Sequence, residues 1–354
     1  MSTKKDYSVE TLRGFAIILV VMGHVIGSGS DGGMKVADDS GWRHLYFTFE
    51  YLRMPLFTVI SGWVYALRPV SLEKYKAFTT KKVRRILYPM VFVGTAYFLL
   101  QYIVPGTNKT GNLAEIWKIY VFPYTLYWYL PSLFWVFLAV GLLDAFKRLD
   151  KFGHWAIWTA VAFALLLVRD IVIPEASPNY LSYKGGIYLF PFFMIGVGIQ
   201  RFKGFFGNVW LNRALAVVFI AGLAIQQLGW FDIIQYNLDK KSGMGLLIGV
   251  TGTILFFRLK WKIDWLIYFG SFAYSIYLFH SFGTAAGRIV LKSMGISQDI
   301  PIFLFSLAVG MFAPILAEKI LDRWGWTRML FLGRSYAPPK KVDATPKPMT
   351  RRVV

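Results

Sequence analysis

Residues 12–25 read Leu-Arg-Gly-Phe-Ala-Ile-Ile-Leu-Val-Val-Met-Gly-His-Val. The run is apolar except for a cation, Arg13, near its start and an imidazole, His24, deep inside. They stand eleven positions apart. On an α-helix that is about three turns, so both side chains share one face, roughly 16 Å apart along the axis. A bilayer core is about 30 Å thick. With Arg13 near one surface, His24 falls near the midplane, where an ionisable group is costly and points to function.

The rest of the chain fits a membrane setting. Hydrophobic residues make up 56%, aromatics 18% and charged residues 16%, with a mean hydropathy of +0.49, well outside the range of soluble domains. The net charge of +20 does not indicate nucleic acid, because the basic residues fall between apolar runs rather than on one basic domain. There is no cysteine, which removes disulfides, thiolate metal sites and a cysteine nucleophile.

Ten apolar runs lie near 10–28, 46–67, 86–104, 124–146, 155–173, 185–200, 210–229, 242–258, 264–290 and 300–320. Each is close to the ~20 residues that a spanning helix needs. The expected fold is an all-α integral membrane bundle of about ten transmembrane helices. The first run lacks a small-residue cleavage site and reads as a retained helix rather than a signal peptide. With the N-terminus in the cytoplasm, most Lys and Arg fall in inner loops and both termini are cytoplasmic. Residues 1–332 form the membrane domain on this reading. Residues 333–354 form a basic, Pro-rich, disordered cytoplasmic tail.

Several segments carry candidate chemistry. In the second run, Glu50 and Arg53 are spaced i,i+3 and can pair across one turn. Pro55 disturbs the same helix, and Ser61-Gly62 permits close helix approach. Lys81, Lys82, Arg84 and Arg85 place four cations in five positions at the inner surface, suited to phosphate or to lipid headgroups. Tyr127-Trp128-Tyr129 stands at the outer end of the fourth run, where aromatics commonly form an interfacial belt. Arg169 and Asp170 are adjacent, and on a helix they point in different directions, toward different neighbours. Tyr277 and His280 share a face of the ninth run. Glu318 ends the tenth, reaching inward or to the surface. A proton-coupled transporter with His24 in a proton relay would use similar residues, although no internal repeat of the transporter kind is present.

Taken together, these segments resemble acyltransferase family 3, a family of integral membrane proteins. Arg13 and His24 match its pattern of Arg, ten residues, His. Met54, Pro55, Leu56, Phe57, Ser61 and Gly62 resemble its Met-Pro-Leu-Phe…Ser-Gly segment. Lys82, Arg85, Ile86 and Pro89 resemble its inner-loop Arg-x-x-Arg pattern. Trp128-Tyr129-Leu130 and Tyr277-Leu278-Phe279-His280 resemble two further segments. The resemblance runs from Arg13 to about Glu318. Lys82 departs from it, standing where arginine is usual, and no proline follows Glu318-Lys319.

The resemblance implies acyl transfer from a cytoplasmic acyl-CoA, acetyl-CoA first, to a hydroxyl of a cell-surface or lipid-linked carbohydrate at the cell (inner) membrane. It implies no metal, no nucleic acid, and membrane lipids as surroundings. His24 would act as general base or acyl relay, since an imidazole with an ordinary pKa near ~6.5 can take a proton at neutral pH. Arg13 would hold a phosphate or the pantetheine arm of the donor, and Lys82, Arg84 and Arg85 its nucleotide phosphates. Glu50, Arg53, Ser61, Trp128, Tyr129, Tyr277, His280 and Glu318 would support the site or face the acceptor.

Overall fold

The computed structural model describes residues 6–108, 112–235, 239 and 242–337. The expected tail therefore lies outside the described residues beyond 337. Among the described residues the secondary structure is helical throughout, with no strand. The α-helices in chain order are α1 (Tyr7–Ile26), α2 (Gly41–Thr48), α3 (Glu50–Ala66), α4 (Tyr75–Lys82), α5 (Tyr88–Ile103), α6 (Lys118–Val121), α7 (Tyr129–Ala145) and α8 (Phe152–Val172). They continue with α9 (Tyr183–Arg201), α10 (Lys203–Gly207), α11 (Val209–Trp230), α12 (Gly243–Leu259), α13 (Asp264–Ser271), α14 (Ala273–Ser293), α15 (Asp299–Leu321) and α16 (Gly325–Leu330).

Each of the ten apolar runs holds a helix, but they are not ten equal spans. By length and composition, six helices among the described residues suffice to cross a membrane, or seven if α12 and α13, bent by 118°, count as one span. The shortfall has a physical cause. Helices α3, α9 and α14 carry glycines, internal prolines or polar residues such as Arg53, Pro191, His280 and Arg288. They also pack mainly against protein: α3 on α9 and α1, and α14 on α15 and α1. A helix shielded by its neighbours does not need lipid-grade hydropathy. The apolar window of α1 is 78% buried in the bundle, against 11% for α11. Residues such as Val217 and Ile220 on α11 are left to face lipid.

The ninth run divides at Phe272 into α13 and α14. Lys260, in the left-handed conformation at φ 50°, ends α12 and turns the chain into α13. Helix α13 then lies along the first half of α1, where any Cβ at Gly14 or Gly270 would collide with backbone of the facing helix. A π turn over Val83–Leu87 joins α4 to α5 and sets the basic segment at the same end of the bundle as the start of α1.

Helix contacts at the core are equally close. A Cβ at Gly62 on α3 would meet the Phe193 carbonyl, and one at Gly196 on α9 would meet the Val59 carbonyl. Small residues let these backbones approach, the expected use of Ser61-Gly62. Nearby, Asp144 accepts from Tyr65 Oη (2.6 Å) and pairs with Arg201 (2.6 Å), so a buried carboxylate is neutralised inside the bundle. Because backbone cannot yield as a side chain can, Gly62→Val should destabilise the protein by ~2–3 kcal/mol. Gly153→Ala, where the added carbon meets nothing, should leave stability nearly unchanged. Thermal unfolding of the detergent-purified protein measures both.

Candidate active site

One end of the bundle gathers the C-termini of α1, α5, α8 and α14 with the N-termini of α3, α7, α9 and α15. Between them lies a cavity of about 970 Å³. His24 lines it, as do Glu50, Arg53 and Trp128. Of the four histidines in the chain, His24 alone does so. Its ring is open to this space, although protein surrounds it on every other side. His24 stands two residues before the end of α1, which is roughly 25 Å along the axis from Tyr7 and about 3 Å from Ile26. It thus sits toward the cavity end of the helix rather than at mid-helix.

Two side chains flank that imidazole. On one side Arg53, from the first turns of α3, reaches across α1. Its guanidinium occupies the space that a side chain at residue 23 would fill, so bare Gly23 admits it. The guanidinium also lies over the Tyr46 ring, 3.9 Å from the centroid, a cation–π contact that holds the charge in place. On the other side stands His280 of α14, fully buried, its ring centroid 4.9 Å from that of His24.

The walls mix apolar side chains with charged ones. Arg169 and Asp170, expected to serve different neighbours, also pair with each other. The guanidinium folds back to pair bidentately with the next carboxylate, at 2.8 and 2.7 Å, and reaches the Lys184 carbonyl at 3.2 Å. This is possible because Arg169 sits in the last turn of α8, where the long side chain has no following turn to clear. Arg288 donates to the Gly33 carbonyl, to Asn108 Oδ1 and to the Gly106 carbonyl (3.2 Å). It ties two loops to α14 over the cavity. Tyr46, Tyr188, Lys184 and Arg288, which also line the cavity, were not singled out from the sequence. Arg288 carried a usable signal, being a charged residue within an apolar run two turns beyond His280. The others come from helix ends far apart in the chain, and their convergence is a property of the fold.

The remaining candidates sit elsewhere. Tyr129 and Tyr277 are buried beneath the cavity, their rings 5.5 Å apart. Tyr277 Oη donates to the Leu126 carbonyl (2.6 Å) and Tyr127 Oη to the Leu278 carbonyl (2.9 Å), which pins α14 to the start of α7. Ser61 Oγ bonds to the Phe57 carbonyl of its own helix at 3.0 Å. Arg13 lies toward the opposite end of α1, paired with Glu10 at 3.1 Å. Glu318 pairs with Arg334 there.

That opposite end holds the basic segment and a second cavity of about 810 Å³, lined among others by Lys76, Lys81 and Arg84. Lys82 is turned away from it, with Nζ 3.2 Å from the centre of the Phe137 ring. Arg85 contributes its carbonyl to the Tyr274 hydroxyl. The two cavities share no lining residue. Among the described residues, no group of three or more His, Asp or Glu has the spacing to hold a metal ion.

Fold and site together define a multi-span helical membrane protein with one imidazole open to a cavity whose walls carry several charged groups. Residues 6–319 match the family model described as an acyltransferase domain. The chain belongs to acyltransferase family 3. It is similar to the nodulation protein NolL of Mesorhizobium japonicum, with 25% identity over 239 residues, 65% of this chain and 57% of that protein. It is also similar to the NolL protein of Sinorhizobium fredii, with 26% identity over 200 residues, 55% of this chain and 49% of that one. The chain thus spans only about half the length of these relatives. No solved structure matches it significantly.

Because Gly23 makes room for Arg53, the smallest added side chain should act on the site rather than on the fold. Gly23→Ala should displace the guanidinium and cut acyl transfer by about tenfold or more. The melting temperature should move by only a few degrees, since a flexible side chain gives way. Product formation and thermal unfolding, measured side by side, check the pair of outcomes.

Proposed function

We propose that this membrane acyltransferase moves an acetyl group from acetyl-CoA to a hydroxyl of a cell-surface or lipid-linked carbohydrate. The observation that carries this reading is the exposure of His24 to the cavity with the Arg53 cation beside it. An imidazole there can take the proton of an acceptor hydroxyl as its oxygen attacks the thioester carbonyl. Negative charge then gathers on the carbonyl oxygen, where a guanidinium in a water-poor site stabilises it. The C–S bond breaks, and the leaving thiolate recovers the proton from the imidazolium. In the relay form, His24 itself carries the acyl group before the hydroxyl attacks.

The carbohydrate assignment draws on the cavity walls. Trp128 offers an aromatic face for a sugar ring, and carboxylates stand among guanidinium and ammonium groups suited to hydroxyls. Donor binding is assigned to the opposite end, where Lys81 and Arg84 line a groove, with Lys82, Arg85 and Arg13 as further cations at that end. In this arrangement the basic end is cytoplasmic, both termini lie on that side, all ten apolar runs cross the inner membrane, and residues 1–332 are the catalytic domain.

Cells with His24→Ala at normal membrane levels should lose the acetyl mass that cells with the wild-type protein add to surface glycans. Retention of that mass would overturn the reading, as would uptake of a solute into proteoliposomes without any acyl donor. Arg84→Glu should raise the KM for acetyl-CoA about tenfold with little change in kcat, as expected for a charge that only binds phosphate. Steady-state kinetics on the reconstituted protein measure the split.

A further inference from the structure

His280 is fully buried and lines neither of the two cavities described above, yet its chemistry is not that of inert packing. Its Nδ1 lies 2.9 Å from the Ile276 carbonyl oxygen and 2.9 Å from the Tyr277 carbonyl oxygen. Carbonyl oxygens only accept, so Nδ1 carries the hydrogen. A neutral imidazole has one N–H, so Nε2 holds the lone pair. That atom is buried with no hydrogen-bond partner. A lone pair shut away from water is a costly vacancy for a donor. The ring centred 4.9 Å away belongs to His24.

Resting on the acyl-transfer reading above, we infer that His280 is a positioning residue for His24. A turn of the neighbouring His24 ring that brings its N–H onto this vacant Nε2 fixes one tautomer and leaves the other nitrogen's lone pair for the cavity. Metal-bound and catalytic histidines are commonly oriented in this way by an acceptor on their second nitrogen. When His24 takes the proton of the acceptor hydroxyl, both its nitrogens carry hydrogen. The bond to His280 persists, and His280 changes no proton. The turn of α14 that carries His280 is held by the Tyr277–Leu126 and Tyr127–Leu278 hydrogen bonds, so the acceptor is kept in place.

The test contrasts two nearly isosteric replacements in the full chain. His280→Gln keeps a donor toward the carbonyls and an acceptor toward His24; His280→Met keeps neither. One readout is the acetyl content of surface glycans at matched protein levels. The other is the rate at which diethyl pyrocarbonate modifies His24 in the purified protein, followed by mass analysis, which needs no substrate. The expected result is Gln within about threefold of wild type in both, and Met reduced about tenfold or more in both, with melting temperatures alike. If His280→Met fails to fold, His280→Asn takes its place, since it retains the donor and lacks the acceptor at the Nε2 position. Equal behaviour of Gln and Met (or Asn), or wild-type labelling of His24 in Met, overturns the inference. If His24→Ala still acetylates, the acyl-transfer role of His24 falls, while the labelling contrast still judges the pairing.

Discussion

A charged guanidinium and an imidazole stand side by side inside a bundle built almost wholly of apolar residues, and the rest of the structure follows from accommodating them. Such groups are costly in hydrocarbon. The protein meets the cost by opening a cavity with charged groups in its walls at one end and by giving Arg53 an aromatic ring to lie on. It also leaves residue 23 without a side chain, so that the arginine can reach across α1. Backbone economy at one position thereby decides where a charge sits relative to His24.

The surrounding packing serves the same end. Glycines at 14, 62, 196 and 270 let helix backbones meet, so α1 and α3 are clamped between α13 and α9. Tyrosine hydroxyls bridge α7 and α14 below the cavity, and Arg288 joins two loops above it. These contacts cost little in sequence complexity, and they fix the three helices that supply His24, Arg53 and His280. Helix α11, at the periphery, carries lipid-facing surface and lines no part of the cavity.

Much of this was legible in the sequence. The ten apolar runs locate the helices closely, because burial in lipid or in a bundle both demand apolar residues. His24, Glu50, Arg53 and Trp128 were identified and do line one cavity. The sequence was a poorer guide where long side chains choose between partners. Arg169 folds back on Asp170, and Lys82 turns to Phe137 rather than into the basic groove; neither follows from helical spacing. Span count was blurred for a related reason. Hydropathy reports contact with lipid, and the central helices are shielded by protein. Tyr46, Lys184 and Arg288 reach the cavity from separate loops and helix ends, a convergence that one-dimensional patterns do not encode.

The proposal joins two ends of the molecule: a basic groove around Lys81 and Arg84, and a cavity around His24 that shares no wall with it. The most direct measurement is a cryo-electron microscopy structure with a non-hydrolysable thioether analogue of acetyl-CoA bound. The account predicts density for the nucleotide phosphates at Lys81 and Arg84 and for the thioether sulfur beside His24, within reach of Arg53. Density that leaves the acetyl end away from His24, or a nucleotide bound elsewhere on the protein, would contradict it.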